Sequence, residues 1–325
     1  MRNRISFRPP DELLRPSDEQ GCQLEVIFHA DDLGATPGVS RKILDGWEAG
    51  LITGFSLIVN GTGVGLVAER LNQHPEREAR IAVHLNISDG RSLLAPEKVP
   101  GLVDREGYLK HGFLGLFLKL AFSLPASRRK MLREVESEWR EQIRRAKAIC
   151  HVRNIRAIDG HIHVHMLPCL FPLAARLAVE EGIPEIRLPR ELWSSPDRWK
   201  HFFSLRFFTN GAKWALLRFL SVPASRVKKR MGLGGPRAFI GILNAGRNTV
   251  RSVLNSLGKL ERMNVGSCEI LFHIGGAAEP EVSEWRPHGP TYRFLISGER
   301  HEEYEELKKL RACFSIREPG SIVHP

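Results

Sequence analysis

The sequence predicts one large α/β domain in which parallel strands form a closed or nearly closed β/α barrel. From Val26 onward, strand-like and helix-like segments alternate, a pattern typical of a parallel sheet with helices outside it. Five predicted strands end in polar residues, at or just beyond the carboxyl ends where barrels build their sites. These residues are Asp31-Asp32, His84, His161, Arg187 and His273. An open sheet would gather a ligand at one switch point instead. No dinucleotide-binding, Walker A, zinc-finger or repeat motif favours another fold.

Each element is predicted from a local pattern. Short apolar runs bounded by turn residues predict buried strands at Val26–Ala30, Thr53–Val59, Ile81–Leu85, Ile155–Ile158, Glu185–Leu188 and Glu269–His273. Amphipathic runs with start and stop signals predict helices at Pro37–Ala49, Gly65–Asn72, Ser127–Ile149, Pro172–Glu181, Thr249–Met263 and His301–Arg311. The segment from Asp89 to Ser123 is predicted to be a long, loose excursion.

The composition is that of an ordinary globular protein, with 325 residues, 42% hydrophobic and 26% charged. Residues 1–23 are predicted to be a polar arm, and residues 24–325 a single domain with a basic, aromatic-rich insertion at about 194–236. The arm lacks the apolar segment of a secretory signal, and no run reaches the roughly 18 apolar residues of a spanning helix. Five scattered cysteines without C-x-x-C spacing favour a reducing compartment. We therefore expect a cytoplasmic protein.

The most distinctive stretch is Asp159–His165, where a carboxylate and three histidines occupy alternate positions. If the strand that begins at Ile155 continues through it, four side chains share one face. These are Asp159, His161, His163 and His165. Such a face indicates a divalent metal, but one strand supplies only part of a coordination shell. Asp31-Asp32 and His84, which end two other predicted strands, are candidates for the remaining ligands.

Four separated motifs make the chain resemble the YdjC-like carbohydrate deacetylases, the family of chitooligosaccharide deacetylase and of hopanoid-associated proteins. The motifs are Ala30-Asp31-Asp32-Leu33-Gly34, Val83-His84-Leu85-Asn86, the Asp159–His165 stretch and Phe272-His273-Ile274-Gly275. Together they are specific, although any one alone would be weak. Gly160 stands where the family usually has serine, and Ile274 where it usually has proline. The resemblance implies a distorted β/α barrel of the polysaccharide-deacetylase type.

By this resemblance, the metal ligands are Asp32, His84 and His161. The residue types argue independently for a catalytic site, because one carboxylate and two neutral imidazoles hold a divalent ion and leave positions open. The resemblance implies magnesium, whereas imidazole-rich ligation favours zinc or a similar ion. The alternative is that His84 is a core histidine and Asp32 a helix cap.

The resulting functional hypothesis is hydrolysis of the acetamide group of an N-acetylated amino sugar. Asp31 would act as the general base on the attacking water, unless it is only a surface or capping carboxylate. His273, beside Gly275-Gly276, would act as the general acid that protonates the leaving amine, unless its role is structural. Hydrolysis of another amide or a phosphoester is the alternative reaction.

The remaining candidates are expected to support a ligand or touch the substrate. Asp159 could orient an imidazole or simply form an Asp-Gly turn. His163 and His165 are expected to include at most one direct ligand. Arg187 and Arg190 could contact sugar hydroxyls or an acidic group, or form a solvated pair at the rim.

The net charge of +11 is local. Residues 198–259 contain 13 Lys and Arg and no Asp or Glu. The rest of the chain has 35 of the 48 basic residues and all 37 acidic ones, so it is close to neutral. Seven aromatics between Trp199 and Phe219 accompany the bases. Arg198–Arg230 could therefore lie on an anionic membrane, or form a lid that packs its aromatics on the barrel. A basic, non-enzymatic adaptor is a further alternative. No specific nucleic acid is expected, and the oligomeric state is left open.

Overall fold

The fold is a seven-stranded, all-parallel sheet with helices packed outside it. The computed structural model describes residues 24–150, 155–193, 205–287 and 289–314. Its strands are β1 (Glu25–Leu33), β2 (Gly54–Leu57), β3 (Arg80–Leu85), β4 (Ile155–Gly160), β5 (Glu185–Ile186), β6 (Ala238–Ile240) and β7 (Ser267–Phe272). They lie in the order β5-β4-β3-β2-β1-β7-β6.

The two edges of the sheet approach each other, so the sheet curls into a nearly closed barrel. Glu185 forms a parallel bridge with Gly234, and Glu191 forms one with Phe239. The backbone N–H of Phe239 also donates to the Arg190 carbonyl across this seam, at 3.2 Å. Because β5 has only two residues, the seam is irregular. The predicted distorted β/α barrel is therefore confirmed.

The helices alternate with the strands and cover the outer face of the sheet. They are α1 (Pro37–Glu48), α2 (Val64–Gln73), α3 (Phe113–Phe122), α4 (Pro125–Cys150), α5 (Phe171–Glu180), α6 (Leu205–Arg230), α7 (Val250–Arg262), α8 (Pro290–Leu295) and α9 (Glu299–Ala312). Thr36 and Thr249 cap α1 and α7 by accepting backbone N–H groups, which explains why both starts were predictable. Apolar residues of strands and helices form one continuous core.

Four strands and helices were not predicted as elements, namely β6, α3, α6 and α8. β6 is only three residues long, too short to show a periodic pattern. α3 lies in the segment predicted to be loose. It is apolar on nearly all sides, so its sequence lacks the polar and apolar stripes of a surface helix.

α6 runs along the outside of the barrel from the carboxyl ends of the strands to their amino ends. Near its start, Asn210 donates to the carbonyl of Leu243, just after β6. Near its end, the Lys228 carbonyl accepts from Leu233, which leads back to the beginning of β5. The helix spans about 39 Å at 1.5 Å per residue. The bases 228–230 therefore lie at the amino ends of the strands, opposite the carboxyl ends, which we call the barrel mouth. Residues 194–204 of the predicted insertion fall outside the described residues.

α4 and α6 are the longest helices, with 26 residues each. Both carry several charged side chains. Within the described ranges, no helix is long and apolar enough to cross a membrane.

Candidate active site

The histidine stretch does not continue as a strand, so the predicted alternation of its side chains is wrong. β4 ends at Gly160, and His161–Met166 form a 3-10 turn. Ile162 and His163 have φ angles of 49° and 63°, a left-handed conformation that costs a β-branched residue such as isoleucine free energy. This kink separates His161 from the two later histidines, which reach different partners.

The carboxyl ends of β1, β3 and β4 bring Asp32, His84 and His161 together. One possible ligand atom from each lies within 4.8 Å of the others, and all three side chains are buried. The Oδ1 atom of Asp32 is 3.8 Å from His84 Nε2 and 3.4 Å from His161 Nδ1. Asp32 has a φ of 71°, so the backbone turns between Asp31 and Asp32 and gives the two carboxylates different partners.

Each member of this trio is held by a contact through its other polar atom. His84 Nδ1 lies 2.7 Å from the Oδ1 of Asp159, and His161 Nε2 lies 3.2 Å from the Thr291 hydroxyl. Arg300 donates to the Oδ2 of Asp32 over 2.9 Å. The atoms that face one another are therefore one carboxylate oxygen and two imidazole nitrogens, a donor set that suits a divalent ion with oriented ligands.

Electrostatics in the trio favour positive charge. Burial alone would raise the pKa of Asp32, but the His161 hydrogen bond and the Arg300 charge hold it well below its usual range. Burial alone would lower the pKa of His84, but the charges of Asp31 and Asp159 outweigh burial and raise it. The negative charges that favour a proton on His84 would also favour a bound cation at the same place.

Asp31 is fixed by Arg187. The Nη1 and Nη2 atoms of Arg187 donate to the two carboxylate oxygens of Asp31 over 3.0 and 2.9 Å. Arg187 is only 2% exposed, so it forms no solvated pair with Arg190 at the rim. Burial raises the pKa of Asp31, but the Arg187 and His84 charges hold it well below its usual range.

Arg187 is the centre of a buried network inside the barrel. Its Nη2 atom is 2.9 Å from the Oδ2 of Asp159, and its Nε donates to Glu269 over 2.6 Å. Glu269 also accepts from Arg80 over 3.1 Å. His29, Asp31 and Asp159 form a second group with the spacing of a metal site. Because the Arg187 guanidinium already lies between its carboxylates, this second group is neutralised without a metal.

Asp159 connects the trio to the Arg187 network. It contacts His84 through one oxygen and Arg187 through the other, and it also accepts from the Ser56 hydroxyl. Ser56 in turn lies 2.6 Å from His29 Nε2. The prediction that Asp159 orients an imidazole agrees with this geometry, and the imidazole is that of His84.

His163 and His165 lie outside the trio. The Nε2 atom of His165 is 3.1 Å from the Arg187 carbonyl, which makes it a donor to that oxygen. The Nδ1 atoms of both histidines are buried without a hydrogen-bond partner among the described residues. Burial lowers the pKa of His165 to about 4 and moves that of His163 well below its usual range. Both imidazoles are therefore neutral at pH 7.

His273 follows β7, the strand next to β1, and its side chain is partly exposed. Its backbone N–H donates to Glu303 over 2.7 Å, and its ring meets the edge of Phe294 at 5.2 Å. Within the described chain, Nδ1 has no hydrogen-bond partner. Burial lowers the pKa of His273 to about 4, although the Asp32 and Asp31 charges oppose this shift. The resting side chain is therefore a neutral imidazole.

Arg190 and Lys213 lie at the seam near the mouth. Arg190 is exposed, in agreement with a position at the rim. Lys213 is half-buried, and helical spacing places it on the same side of α6 as Asn210 and Trp214. Trp214 donates to the Glu191 carbonyl over 3.0 Å, so this side of α6 faces the loops at the carboxyl ends of β5 and β6. Burial lowers the pKa of Lys213 to about 8.

The two departures from the family pattern have local explanations. A Cβ atom on Gly160 would lie 2.8 Å from His165 Nδ1, so a serine there requires a shift of that ring. Ile274 is fully buried, and its carbonyl accepts from Arg300 over 3.1 Å. The loop after β7 is thus held by the same arginine that holds Asp32.

Sequence reasoning missed several residues that hold the site, namely His29, Ser56, Glu269, Thr291 and Arg300. Glu269 left a signal, because a carboxylate in the middle of a buried strand needs a charged partner. Arg300 left none, since it lies in a highly charged helix and 268 residues separate it from Asp32. Only the tertiary fold brings these residues to the trio.

Curated proteins similar to this chain include a carbohydrate deacetylase of Mus musculus, 29% identical over 293 residues that cover 88% of each chain. A carbohydrate deacetylase of Xenopus laevis is 26% identical over 300 residues, covering 88% of this chain and 92% of that protein. A third relative, a carbohydrate deacetylase of Brevibacillus brevis, is 29% identical over 166 residues, 51% of this chain and 60% of that one.

Among solved structures, a protein from Enterococcus faecalis assigned by name to cellobiose-phosphate cleavage has the same fold. Its TM-score is 0.55 at 20% identity, covering 87% of this chain and 94% of that one, and the likeness concerns the fold alone. The model of the family described as YdjC-like protein matches residues 25–312. Because this match spans most of the sequence and includes all four motifs, the chain belongs to the YdjC-like family.

Proposed function

We propose that this chain is a metal-dependent hydrolase that removes the acetyl group from an N-acetylated amino sugar. The observation that carries the proposal is the buried trio of Asp32, His84 and His161, with Asp31 beside it, in a member of the YdjC-like family. Relatives from mouse and frog that align over most of the chain bear the name carbohydrate deacetylase. Their name supports an acetylated carbohydrate as the substrate class, and the amide nitrogen is part of the present proposal.

Asp32, His84 and His161 would hold the divalent ion through the atoms that their other contacts leave free. When bound, such an ion polarises the acetamide carbonyl and makes water a better nucleophile. Two imidazoles and one carboxylate suit zinc and similar ions, whereas the family resemblance implies magnesium. Asp159 and Thr291 keep the two imidazoles oriented by holding their other nitrogens.

Asp31 is the proposed general base. Its Oδ2 atom lies 4.0 Å from His84 Nε2, so the carboxylate borders the place where the trio converges. Arg187 fixes the carboxylate in position but also weakens it as a base, because the guanidinium stabilises the ionised form. Asp31 can therefore accept a proton only from a water whose acidity has been raised in the site.

His273 is the proposed general acid that protonates the leaving amine. As a neutral imidazole it must first receive a proton, and the proton taken from the attacking water by Asp31 is the available source. Asp31 and His273 lie at the carboxyl ends of the neighbouring strands β1 and β7, which supports a proton transfer between them. Acetate and a free amino sugar are the products.

Acetate release is the direct test of this proposal. The purified chain, loaded in turn with zinc, magnesium and related ions, is incubated with N-acetylated monosaccharides, oligosaccharides and lipid-linked glycans. We expect acetate from at least one of them, and none from Asp32→Asn under the same conditions. If no acetate appears but a phosphoester or another amide is cleaved, the bond assignment is wrong. A chain that binds anionic ligands without cleaving any of these substrates would instead be the non-enzymatic adaptor.

A further inference from the structure

α3 presents an apolar face to solvent, which is unusual for a helix on a protein surface. Leu114, Leu118, Phe122 and the following Leu124 are 63%, 44%, 82% and 76% exposed. The first three lie four residues apart, on one side of the helix. Leu116 and Leu120 on the opposite side are buried in the core. Both faces of α3 are apolar, but packing against the protein buries only one of them and leaves the other exposed to solvent.

The chain segment that carries this face is basic. No Asp or Glu occurs between residues 107 and 133, whereas six bases do, namely Lys110, Lys119, Arg128, Arg129, Lys130 and Arg133. Arg129 and Lys130, in the first turns of α4, are exposed. We call the four exposed apolar residues together with Arg129 and Lys130 the α3 surface. Its combination of apolar and cationic side chains is typical of elements that lie in the interface of an anionic bilayer.

The α3 surface lies on the mouth side of the barrel. α3 packs against the 3-10 turn that carries His161. Gln142 of α4 donates to the carbonyl of Asn86, just past the carboxyl end of β3, over 2.6 Å. The part of α4 that precedes Gln142 therefore projects beyond the strand ends, and α3 connects to its tip. The α3 surface and the candidate active site thus share one end of the molecule.

We propose that the α3 surface attaches the protein to the interface of a membrane that contains anionic lipid. The bases are complementary to anionic headgroups, and the four apolar side chains can enter the acyl boundary. A second copy is a poorer occupant, because two basic surfaces in a chain of net charge +11 would face each other. This attachment is independent of the proposed activity.

The α3 surface is distinct from the membrane contact predicted from the sequence at Arg198–Arg230, which stays a prediction. The bases 228–230 lie at the amino ends of the strands, about the length of α6 away from the mouth. A bilayer in contact with them would face away from Asp32 and its neighbours. A bilayer in contact with the α3 surface would face the mouth.

The test is flotation of the full chain with phosphatidylcholine vesicles and with vesicles that also contain phosphatidylglycerol, at low and high salt. We expect binding to the anionic vesicles only, weakened by salt because screening shortens with ionic strength. Two double variants should each reduce binding about tenfold or more, because apolar insertion and electrostatic attraction both contribute to attachment. They are Leu118→Gln with Phe122→Gln, and Arg129→Gln with Lys130→Gln.

Val179→Gln with Met263→Gln is the matched control, because both residues are exposed but precede β5 and β7 at the opposite end of the barrel. This control and Lys229→Glu with Arg230→Glu should bind like the wild type. Circular dichroism checks that each variant is folded. Absence of wild-type binding to anionic vesicles overturns the proposal, as does equal loss in the control. A wild-type dimer that the α3 variants convert to monomer, without any vesicle binding, identifies a second copy as the occupant.

Discussion

Two buried clusters at the same barrel end use the same residue types and differ in what neutralises them. The trio of Asp32, His84 and His161 turns one oxygen and two nitrogens toward one another. The neighbouring group of His29, Asp31 and Asp159 has similar spacing, but the Arg187 guanidinium lies between its carboxylates. Spacing alone would make both groups metal sites. The position of one arginine leaves only the trio with donor atoms free for an ion.

The largest expected effect on turnover comes from Asp31→Asn, which tests whether the second group supplies the base. We expect turnover to fall by about 10²-fold or more, the scale of a positioned general base. Metal content should stay near that of the wild type, because Asp32, His84 and His161 are unchanged. Turnover and bound metal are measured on the same sample, with Asp32→Asn as the variant that should lose metal. Near-normal turnover of Asp31→Asn would show that Asp31 is not the base.

Arg187→Met removes the charge that neutralises the second group. Asp31, Asp159 and Glu269 would then be buried without their shared partner, and we expect the free energy of unfolding to fall by about 3–5 kcal/mol. Urea unfolding measures the change. The control is Arg190→Met, an exposed arginine nearby that should alter stability by no more than about 0.5 kcal/mol. If both variants are equally stable, the network is not what holds this end of the barrel.

Asp159→Asn tests whether the two clusters depend on each other, because Asp159 contacts both His84 and Arg187. Loss of the carboxylate that orients His84 should weaken metal affinity by about 10–100-fold, the usual scale for a residue that supports a ligand. Competition with a chromogenic chelator measures the affinity. Ser56→Ala removes another contact to the same carboxylate without touching His84, so it should have a much smaller effect. Equal affinity in Asp159→Asn and wild type would mean that His84 does not depend on this contact.

The smallest effect concerns His165, which donates to the Arg187 carbonyl. Its folded pKa of about 4 lies below the unfolded value of 6.5, so the unfolded chain binds more protons between these values. The free energy of unfolding therefore contains a contribution from neutral His165 that is complete above pH 6.5. It is lost as the pH falls toward 4, by up to about 1.4 kcal/mol per pH unit. His165→Gln should lose less stability than wild type between pH 7 and 5 in urea unfolding. Other titrating groups are common to both proteins, so parallel curves would contradict the shift.

Local chemistry was enough to predict much of this molecule. Strand and helix alternation predicted the parallel barrel, because buried strands and capped helices leave patterns within a few residues of one another. The motifs predicted that Asp32, His84 and His161 would meet, since the carboxyl ends of parallel strands share one edge. Family membership followed from the same motifs and was confirmed by the match over residues 25–312.

Long-range packing decided the rest. The prediction that a strand continues after Gly160 was wrong, because a left-handed kink at Ile162 leaves no periodic signal in the sequence. Arg187 was predicted to contact sugar hydroxyls or an acidic group, or else to form a solvated pair at the rim. Its burial depends on carboxylates from three other strands, which no local pattern can reveal. Arg300 reaches Asp32 from the other end of the chain. A sequence therefore predicts which groups meet at a strand end, whereas the charge that neutralises each group depends on which distant side chain fills the space between them.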